Sequence, residues 1–297
     1  MELSLILATR NNSSSLEIFL SSLASCNRPR FWEVIVVDNG STDTTQSVVA
    51  SYKQSLPLKY LFQPVPGKSR SLNFGLSEAT GEIILFTDDD VIPDENWLIN
   101  HLESMNRHVD IDAVGGRIII DESSIPGWLS RSYNLKGMLI SAHDLGVTTA
   151  YRDTDKYPFG PNMSVRKRAL NSCRTPWPEN LGPGTNIPVG DEVVFFKNIF
   201  GNDKTRIIYD PACLVKHAIR SGRLSFLHSV NRCFKGGYIA AVYLDKTIAG
   251  RDNLSINKVT LLRHINSIPE LICVISRFAG FLLGRLKVRI GFTNHSV

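Results

Sequence analysis

The sequence predicts an α/β protein built around a Rossmann-like, mostly parallel sheet with helices on its faces. Two observations support this fold class. Apolar runs of strand length alternate with helical segments over residues 3–90, and three of the runs end in polar clusters. Strands joined in this way use right-handed crossovers, and their ligands lie beyond the carboxyl ends of the strands. We therefore expect the polar clusters to meet in one crevice.

The elements before residue 80 follow from apolar spacing and turn residues. They are the strand Leu3–Thr9, a helix carrying Leu16, Phe19, Leu20 and Leu23, the strand Glu33–Asp38, a strand Lys59–Gln63 and the helix Ser69–Ala79. The sequence contains neither GxGxxG after the first strand nor GxxxxGK[ST]. A dinucleotide-binding Rossmann domain and a P-loop are therefore disfavoured.

The fourth predicted strand runs directly into three acids. In EIILFTDDDVIP, the apolar run Ile83–Phe86 is typical of a strand covered on both faces, and Pro93 is predicted to close the turn after the acids. Carboxylates this close repel one another unless a cation lies among them. Asp88 and Asp90 are two residues apart, so an extended chain points them the same way and Asp89 elsewhere. The alternative is a polar loop whose acids are solvated or cap a helix.

The composition is that of a globular protein, with 43% hydrophobic and 21% charged residues. The five cysteines are widely spaced and form no CxxC, which disfavours a disulfide framework or a zinc site. The first residues lack the basic region of a secretory signal. These features predict a reducing, cytoplasmic location, with the inner face of a membrane as a further expectation.

Positive charge is concentrated in the last quarter of the chain. Residues 216–297 contain 13 basic and 3 acidic residues, a net charge of +10 within a chain of net charge +5. This excess suits phosphates or an anionic membrane surface, or it is an ordinary solvated face. We expect no nucleic-acid partner.

Helices are predicted over Ser225–Leu244 and Ile256–Leu286, the second interrupted at Pro269. The apolar stretch Leu271–Leu283 is too short to span a bilayer. It is predicted either to lie at a membrane interface, with Arg285, Lys287 and Arg289 meeting anionic lipid, or to pack on the core or on a second subunit as a homodimer contact.

Several segments, in this order, resemble the inverting glycosyltransferases of family 2, which have the GT-A fold. They are VIVVDNGSTD, PGKSRSLNFGL, EIILFTDDDVIP, GPNMSVRKRAL (Gly160–Leu170), LGPGTNIPVGDEVVFF (Leu181–Phe196) and YDPACLVKH (Tyr209–His217). The resemblance covers about residues 3–243. It implies a GT-A catalytic domain at 1–222, with a nucleotide-binding half at about 1–110 and an acceptor-binding half at about 111–222. A C-terminal helical extension follows at 223–297.

The family resemblance implies transfer of a sugar from a nucleotide-diphosphate donor, with UDP favoured, to a hydroxyl of a glycan or lipid-linked acceptor. The implied nucleotide-binding residues are Thr9, Arg10, Asn11, Asp38, Lys68, Arg70, Asn73, Asp88 and Asp89. The implied metal ligands, for Mn²⁺ or Mg²⁺, are Asp90, Asp88 and His217. The implied acceptor-binding residues are Phe159, Asn162 and Trp177.

The family pattern Gly-Glu-Asp, whose second acid is the catalytic base, differs here. This chain has Gly190-Asp191-Glu192. By position the base is Glu192, and by residue type it is Asp191. A single base without a carboxylate nucleophile implies inversion at the anomeric carbon. The preceding loop, Leu181–Pro188, is predicted to be mobile and to order over bound nucleotide.

Two other functions remain open from the sequence. A nucleotidyltransferase that makes nucleotide sugars would share the sheet, but it typically has a Gly-rich loop after the first strand, where this chain has Ala8–Asn12 without glycine. A non-catalytic sugar-nucleotide or glycan-binding partner of another transferase is supported by the exchanged Asp191-Glu192 pair.

Overall fold

The computed structural model describes residues 2–154, 156–171, 173–219, 224–244 and 267–289. The chain divides into two compact units. The first comprises Met1–Ile120 and His143–Ala218, and the second comprises Asp121–Ala142 and Ile219–Val297. The sequence division had placed residues 121–142 in the catalytic domain, whereas they group with the C-terminal helices. The predicted boundary itself, at residues 222 and 223, lies outside the described residues.

The first unit contains the sheet and its flanking helices. Its elements are β1 (Leu3–Thr9), α1 (Ser13–Ala24), β2 (Trp32–Asp38), α2 (Thr45–Ser51), β3 (Leu58–Phe62), α3 (Lys68–Glu78), β4 (Ile83–Asp88), β5 (Val91–Pro93), α4 (Trp97–Arg107), β6 (Ala113–Ile120), β7 (Thr149–Ala150), β8 (Asn162–Arg166), α7 (Lys167–Leu170), α8 (Asp191–Phe200) and β9 (Ile207–His217). The second unit contains α5 (Gly127–Ser130), α6 (Tyr133–Ile140), α9 (Phe226–Ile239), a π-helical turn (Ala240–Leu244) and α10 (Ile268–Arg289).

The described strands form one nine-stranded sheet in the order β3-β2-β1-β4-β8-β6-β9-β5, with β7 paired to β9. The first four of these strands are parallel, as the sequence predicts. Their register aligns Thr9 with Asp38 and Ala8 with Asp88, so the ends of β1, β2 and β4 lie side by side. The predicted meeting of the polar strand ends is therefore confirmed.

Alternate residues of the central strands enter two different cores. Leu5 and Leu7 of β1 belong to a cluster with Phe19 of α1, whereas Ile6 belongs to a second cluster with Leu72 of α3. Because helices cover both faces, the strand is apolar at successive positions instead of alternating with polar residues. This burial accounts for the continuous apolar runs in the sequence.

The second half of the sheet is mixed. Strand β8 is antiparallel to both β4 and β6, and β9 is parallel to β6. The sequence predicts a turn closed by Pro93, but Val91–Pro93 form the short strand β5, which is antiparallel to β9 and aligns Val91 with His217. A proline is tolerated there because β5 is an edge strand.

In the second unit, α9 and α10 pack side by side and run in the same direction. Gly237 lies against the backbone of Arg277, and Gly280 lies against the backbone of Phe234, so a Cβ at either glycine would clash. Helix α10 is continuous from Ile268, and Pro269 stands in its first turn, where a missing N–H costs nothing. Pro269, where the sequence predicts an interruption, therefore lies at the start of a helix. The predicted helical residues 256–266 lie outside the described residues.

Candidate active site

Asp89 points away from its two acidic neighbours. The Thr9 hydroxyl donates a hydrogen bond of 2.6 Å to Asp89 Oδ2, and both side chains are buried. This bond ties the end of β1 to the turn after β4. Thr9 and Asp89 therefore hold the ends of β1 and β4 together, and their predicted contact with nucleotide stays a prediction.

The other two acids meet a histidine from the far end of the sheet. Asp88, Asp90 and His217 each offer a ligand atom, and these atoms lie within 4.8 Å of one another. His217 Nε2 is 3.2 Å from Asp90 Oδ1, and both side chains are almost fully buried. Two carboxylates and an imidazole form a donor set that suits Mn²⁺ and is compatible with Mg²⁺. The residues present fit the predicted metal site.

Lys68, at the start of α3, donates a short hydrogen bond to Asp88. Burial by itself would lower the pKa of Lys68, but the carboxylates of Asp88, Asp191 and Glu192 outweigh burial and raise it. The lysine is therefore charged and lies within electrostatic reach of both the metal-ligand cluster and the acidic start of α8.

Asp191 and Glu192 occupy different environments. Asp191 is only 2% exposed, and a Cβ on Gly182 would come within 2.6 Å of its Oδ2. Burial, followed by the neighbouring charge of Glu192, raises the pKa of Asp191 well above its ordinary value. Glu192 is partly exposed, with Oε1 2.9 Å from the place of a Cβ on Gly160. Asp191 is thus enclosed by the protein, whereas Glu192 retains access to solvent.

Asp38 is held by protein donors at both oxygens. Its Oδ1 accepts a hydrogen bond of 2.8 Å from the Ser41 N–H, and its Oδ2 accepts one of 2.7 Å from the Tyr60 hydroxyl. Burial and this contact raise the pKa of Tyr60. Each carboxylate oxygen has a second lone pair, so a contact with nucleotide remains compatible with this geometry.

Two neighbours on the β1–α1 loop were also predicted to contact nucleotide. Asn11 Oδ1 accepts a hydrogen bond of 2.8 Å from the Thr42 N–H, which joins this loop to the one after β2. Arg10 is exposed beside it. The structure brings both residues to the same edge of the sheet as Asp38.

The side chains of Arg70 and Asn73, which the sequence predicts to contact nucleotide, are hydrogen-bonded to other parts of the protein. Arg70 Nε is 2.9 Å from Glu179 Oε2. Asn73 Nδ2 donates to the Trp177 carbonyl at 2.9 Å, and Asn73 Oδ1 accepts from the Trp177 N–H at 3.1 Å. Both side chains therefore hold the segment that leads to α8.

The predicted mobile loop is docked on α3 in this structure. The Ser69 hydroxyl donates to the Leu181 carbonyl at 3.0 Å, and the Lys68 N–H donates to the Pro183 carbonyl at 2.9 Å. These bonds place the glycine-rich loop over the start of α3, next to the lysine that contacts Asp88.

Two of the predicted acceptor-binding residues are structural. Asn162 is fully buried: its Oδ1 accepts from Trp97 Nε1 and lies 2.8 Å from His101 Nε2, and its Nδ2 donates to the Arg117 and Cys213 carbonyls. Trp177 is buried, with its ring centroid 4.3 Å from that of Phe195 and 5.2 Å from that of Phe86. Neither side chain reaches the surface in this arrangement, so an acceptor contact by Asn162 or Trp177 would require its exposure, and both contacts stay predictions.

Phe159 remains accessible. It is half-buried beside the fully hydrogen-bonded Asn162 and directly precedes Gly160, against which Glu192 lies. Its ring centroid is 5.0 Å from that of His143. Of the three aromatic and amide residues predicted to bind acceptor, Phe159 therefore keeps that role as a prediction.

The sequence analysis missed several residues that shape the site. Asn39 is buried, and its amide donates to the Val65 carbonyl at 2.8 Å and accepts from the Gly67 N–H at 2.8 Å. Gly160 and Gly182 allow the acids of α8 to approach closely. The sequence does show an asparagine in the turn after β2, Asn39, and the run Gly182-Pro183-Gly184, and both could have indicated residues that shape the site. Nothing in the sequence indicates that Tyr60 contacts Asp38.

The family model described as glycosyl transferase family 2 matches residues 4–172. Chondroitin synthase of Pasteurella multocida is 31% identical over 125 residues, which cover 41% of this chain and 13% of that protein. Poly-beta-1,6-N-acetyl-D-glucosamine synthase of Staphylococcus epidermidis is 28% identical over 164 residues, covering 50% of this chain and 39% of that protein. The chain thus spans well under half the length of these curated relatives.

Two solved transferases share the fold. S. aureus TarS in complex with UDP-GlcNAc has a TM-score of 0.58 at 19% identity, with 98% of this chain and 92% of that chain covered. The mannosyltransferase PcManGT of Pyrobaculum calidifontis, in complex with GDP-Man and Mn²⁺, has a TM-score of 0.57 at 17% identity, with 100% and 76% covered. The predicted GT-A fold is confirmed, and the match to the family model over more than half of its residues shows that the chain belongs to glycosyl transferase family 2.

Proposed function

We propose that this protein is a metal-dependent, inverting glycosyltransferase that moves a sugar from a UDP-sugar to an acceptor hydroxyl. One observation carries the proposal. Lys68 contacts Asp88 of the metal-ligand cluster and interacts electrostatically with both acids of α8. Lys68 therefore lies next to both the proposed diphosphate site, at the metal-ligand cluster, and the proposed catalytic base, at the start of α8.

Asp88, Asp90 and His217 would hold Mn²⁺ or Mg²⁺. A divalent cation bound there supplies positive charge that stabilises a diphosphate leaving group. Lys68 adds a further positive charge at the same place, and the docked loop reduces access of water to it. Thr9, by fixing Asp89, keeps the third acid from competing with Asp88 and Asp90.

Glu192 would be the general base. It is the more accessible acid of the pair, and its carboxylate lies beside Gly160, in the turn before β8. Asp191 is buried against Gly182, so it is suited to position its neighbour and poorly placed to reach an acceptor hydroxyl. Attack by a deprotonated hydroxyl from the face opposite the leaving group gives inversion.

The donor and acceptor are proposed from relatives. TarS was solved with UDP-GlcNAc, which supports a UDP-sugar, although PcManGT was solved with GDP-Man. The named polysaccharide synthases support a glycan or lipid-linked acceptor. A cytoplasmic location and a homodimer remain predictions. The family match favours sugar transfer over nucleotide-sugar synthesis.

The decisive experiment measures donor hydrolysis and transfer for a panel of UDP- and GDP-sugars, with Mn²⁺ and with a chelator. We expect activity with Mn²⁺ only, and a loss of about a hundredfold or more in kcat for Glu192→Gln without loss of nucleotide affinity. Asp191→Asn is the matched control and should lose far less.

Three results would contradict this assignment in different ways. A severe loss for Asp191→Asn with an active Glu192→Gln would exchange the two roles. Pyrophosphate release from UTP and a sugar phosphate would indicate a nucleotidyltransferase. Nucleotide binding by calorimetry without hydrolysis or transfer would indicate a non-catalytic partner.

A further inference from the structure

One face of α10 is apolar and exposed along almost its whole length. Exposed fractions run from 38% to 74%, and the residues are Ile268, Ile272, Ile275, Phe278, Leu282, Leu283 and Leu286. At 100° per residue these side chains fall within one broad stripe that contains no charged residue. The stripe extends for about 27 Å, the length of 18 helical residues. We call it the outer face of α10.

The opposite side of α10 is already occupied by α9. Cys273 and Phe281 are buried there, and Gly280 lies against the backbone of Phe234. The Ser276 hydroxyl also donates to the Val230 carbonyl at 2.9 Å. Packing against α9 therefore accounts for the inner face and leaves the outer face unexplained.

Charge around the outer face is positive at its carboxyl-terminal end. At 100° per residue Arg285 and Lys287 border the apolar stripe on its two sides, and their charged groups lie 5.9 Å from the Phe281 ring and 5.5 Å from the Tyr238 ring, on the sides of the helix next to α9. The one acid of α10, Glu270, is buried on the inner side. An apolar stripe flanked by basic residues is complementary to anionic lipid.

We infer that the outer face of α10 binds the surface of an anionic lipid bilayer, with the helix lying in the plane of the membrane. The apolar side chains would enter the boundary between headgroups and acyl chains, and the basic residues would meet lipid phosphates. Within the described residues, none of the helices combines the length and apolar character needed to cross a membrane. The contact would therefore be peripheral.

A second copy of the chain is the strongest competing occupant. Ile268, Ile272 and Ile275 are spaced four and three residues apart, which is the spacing of apolar residues between two helices of a coiled coil. A parallel pair would, however, bring Arg285 and Lys287 of both copies together. Glu270 is turned inward and offers no counter-charge in either orientation. Charge therefore opposes a parallel pair and adds nothing to an antiparallel one, whereas it favours an anionic surface.

The test is flotation of the full chain with phosphatidylcholine vesicles and with mixed phosphatidylcholine–phosphatidylglycerol vesicles. We expect binding to the mixed vesicles to be the stronger. The variant Arg285→Gln/Lys287→Gln should lose about thirtyfold in partitioning to them, because each basic residue near the surface contributes about fivefold. Ile275→Asp/Leu282→Asp should abolish binding to both. Val147→Asp, at an apolar side chain of the first unit that is 71% exposed, is the matched control and should bind normally.

Size-exclusion chromatography with light scattering and a thermal melt complete the design. Full vesicle binding by Ile275→Asp/Leu282→Asp would overturn the inference. So would a wild-type dimer that this variant converts to monomers, because the face would then bind a second copy. A lower melting temperature with unchanged flotation would show that the chain itself covers the face, and would also overturn it.

Discussion

Two buried histidines, each beside a side-chain oxygen, lie in different regions of the first unit, His101 on α4 and His217 on β9. His101 lies between Ser164 and Asn162, 2.9 Å and 2.8 Å from their oxygens, and every partner in that cluster is uncharged. His217 lies 3.2 Å from Asp90, and a second carboxylate, Asp88, completes a set of metal-ligand atoms. The first cluster balances its own hydrogen bonds, whereas the second concentrates negative charge that a cation would neutralise.

The comparison teaches that burial of a polar group does not by itself indicate a functional site. Asn162 uses its donors on two backbone carbonyls, so its oxygen must accept from Trp97 and His101. This network fixes the neutral His101 with a proton on Nε2 and needs no ligand. The ligand atoms of Asp88 and Asp90 instead lie within 4.8 Å of each other and of one on His217, and this concentration of metal-ligating groups, with Lys68 beside it, is the physical basis for assigning chemistry to them.

The largest effect is expected at the charged cluster. Asp90→Asn keeps the shape of the side chain but removes a ligand charge, so transfer should fall by about a thousandfold. Initial rates and calorimetric titration with Mn²⁺ would measure both consequences. Asp110→Asn, on an exposed loop, is the control. Unchanged rates and unchanged Mn²⁺ affinity in Asp90→Asn would remove the distinction between the two clusters.

A stability effect is expected at the uncharged cluster. Asn162→Ala leaves the partners of four hydrogen bonds buried and unsatisfied, so the free energy of unfolding should fall by about 3 kcal/mol or more. Urea unfolding followed by circular dichroism measures this, with the exposed Gln54→Ala as control. A stable variant that has lost only acceptor binding would restore the sequence prediction for Asn162.

A pH effect is expected at His101. Burial lowers the pKa of His101 from 6.5 to about 4 in the folded protein. As the pH falls, His101 is protonated in the unfolded chain before it is protonated in the folded protein. The free energy of unfolding is therefore highest above pH 6.5 and decreases by about 3 kcal/mol as the pH falls toward 4. Relative to wild type, His101→Gln should show a flatter fall in unfolding free energy over this range. Parallel pH curves for the two proteins would contradict the neutral network.

The smallest effect is expected at the Arg70–Glu179 pair. This pair is more than a third exposed, so Arg70→Ala should raise the KM for donor by at most about fivefold. Because we assign Arg70 to holding the loop, Glu179→Ala should act similarly and the double variant should add little. If Arg70 instead binds a donor phosphate directly, its substitution alone should raise KM more than tenfold.

The sequence predicted the parallel half of the fold and the clustering of Asp88 with Asp90, because these depend on local patterns. Each strand of β1 to β4 is followed directly by its own polar end, and parallel order brings those ends together. The burial of Asn162 and Trp177 was not predicted, because their environments are made by distant parts of the chain. Trp97, His101 and Cys213, which enclose Asn162, are 51 to 65 residues away from it.

The loop contacts of α3 were missed for the same reason. Arg70 and Asn73 reach residues that lie 104 to 109 positions later, and no pattern within α3 distinguishes a contact with protein from a contact with phosphate. The grouping of residues 121–142 with the C-terminal helices also depends on tertiary packing, which composition and periodicity do not reveal.

The pairing of β5 with β9 has a consequence for biosynthesis. His217 lies 127 residues after Asp90, on the last strand of the sheet. A nascent chain therefore presents its aspartates long before the imidazole emerges from the ribosome. The proposed metal site would consequently be complete only with the sheet, and a polypeptide released before residue 217 would lack its imidazole ligand however well its earlier strands had formed.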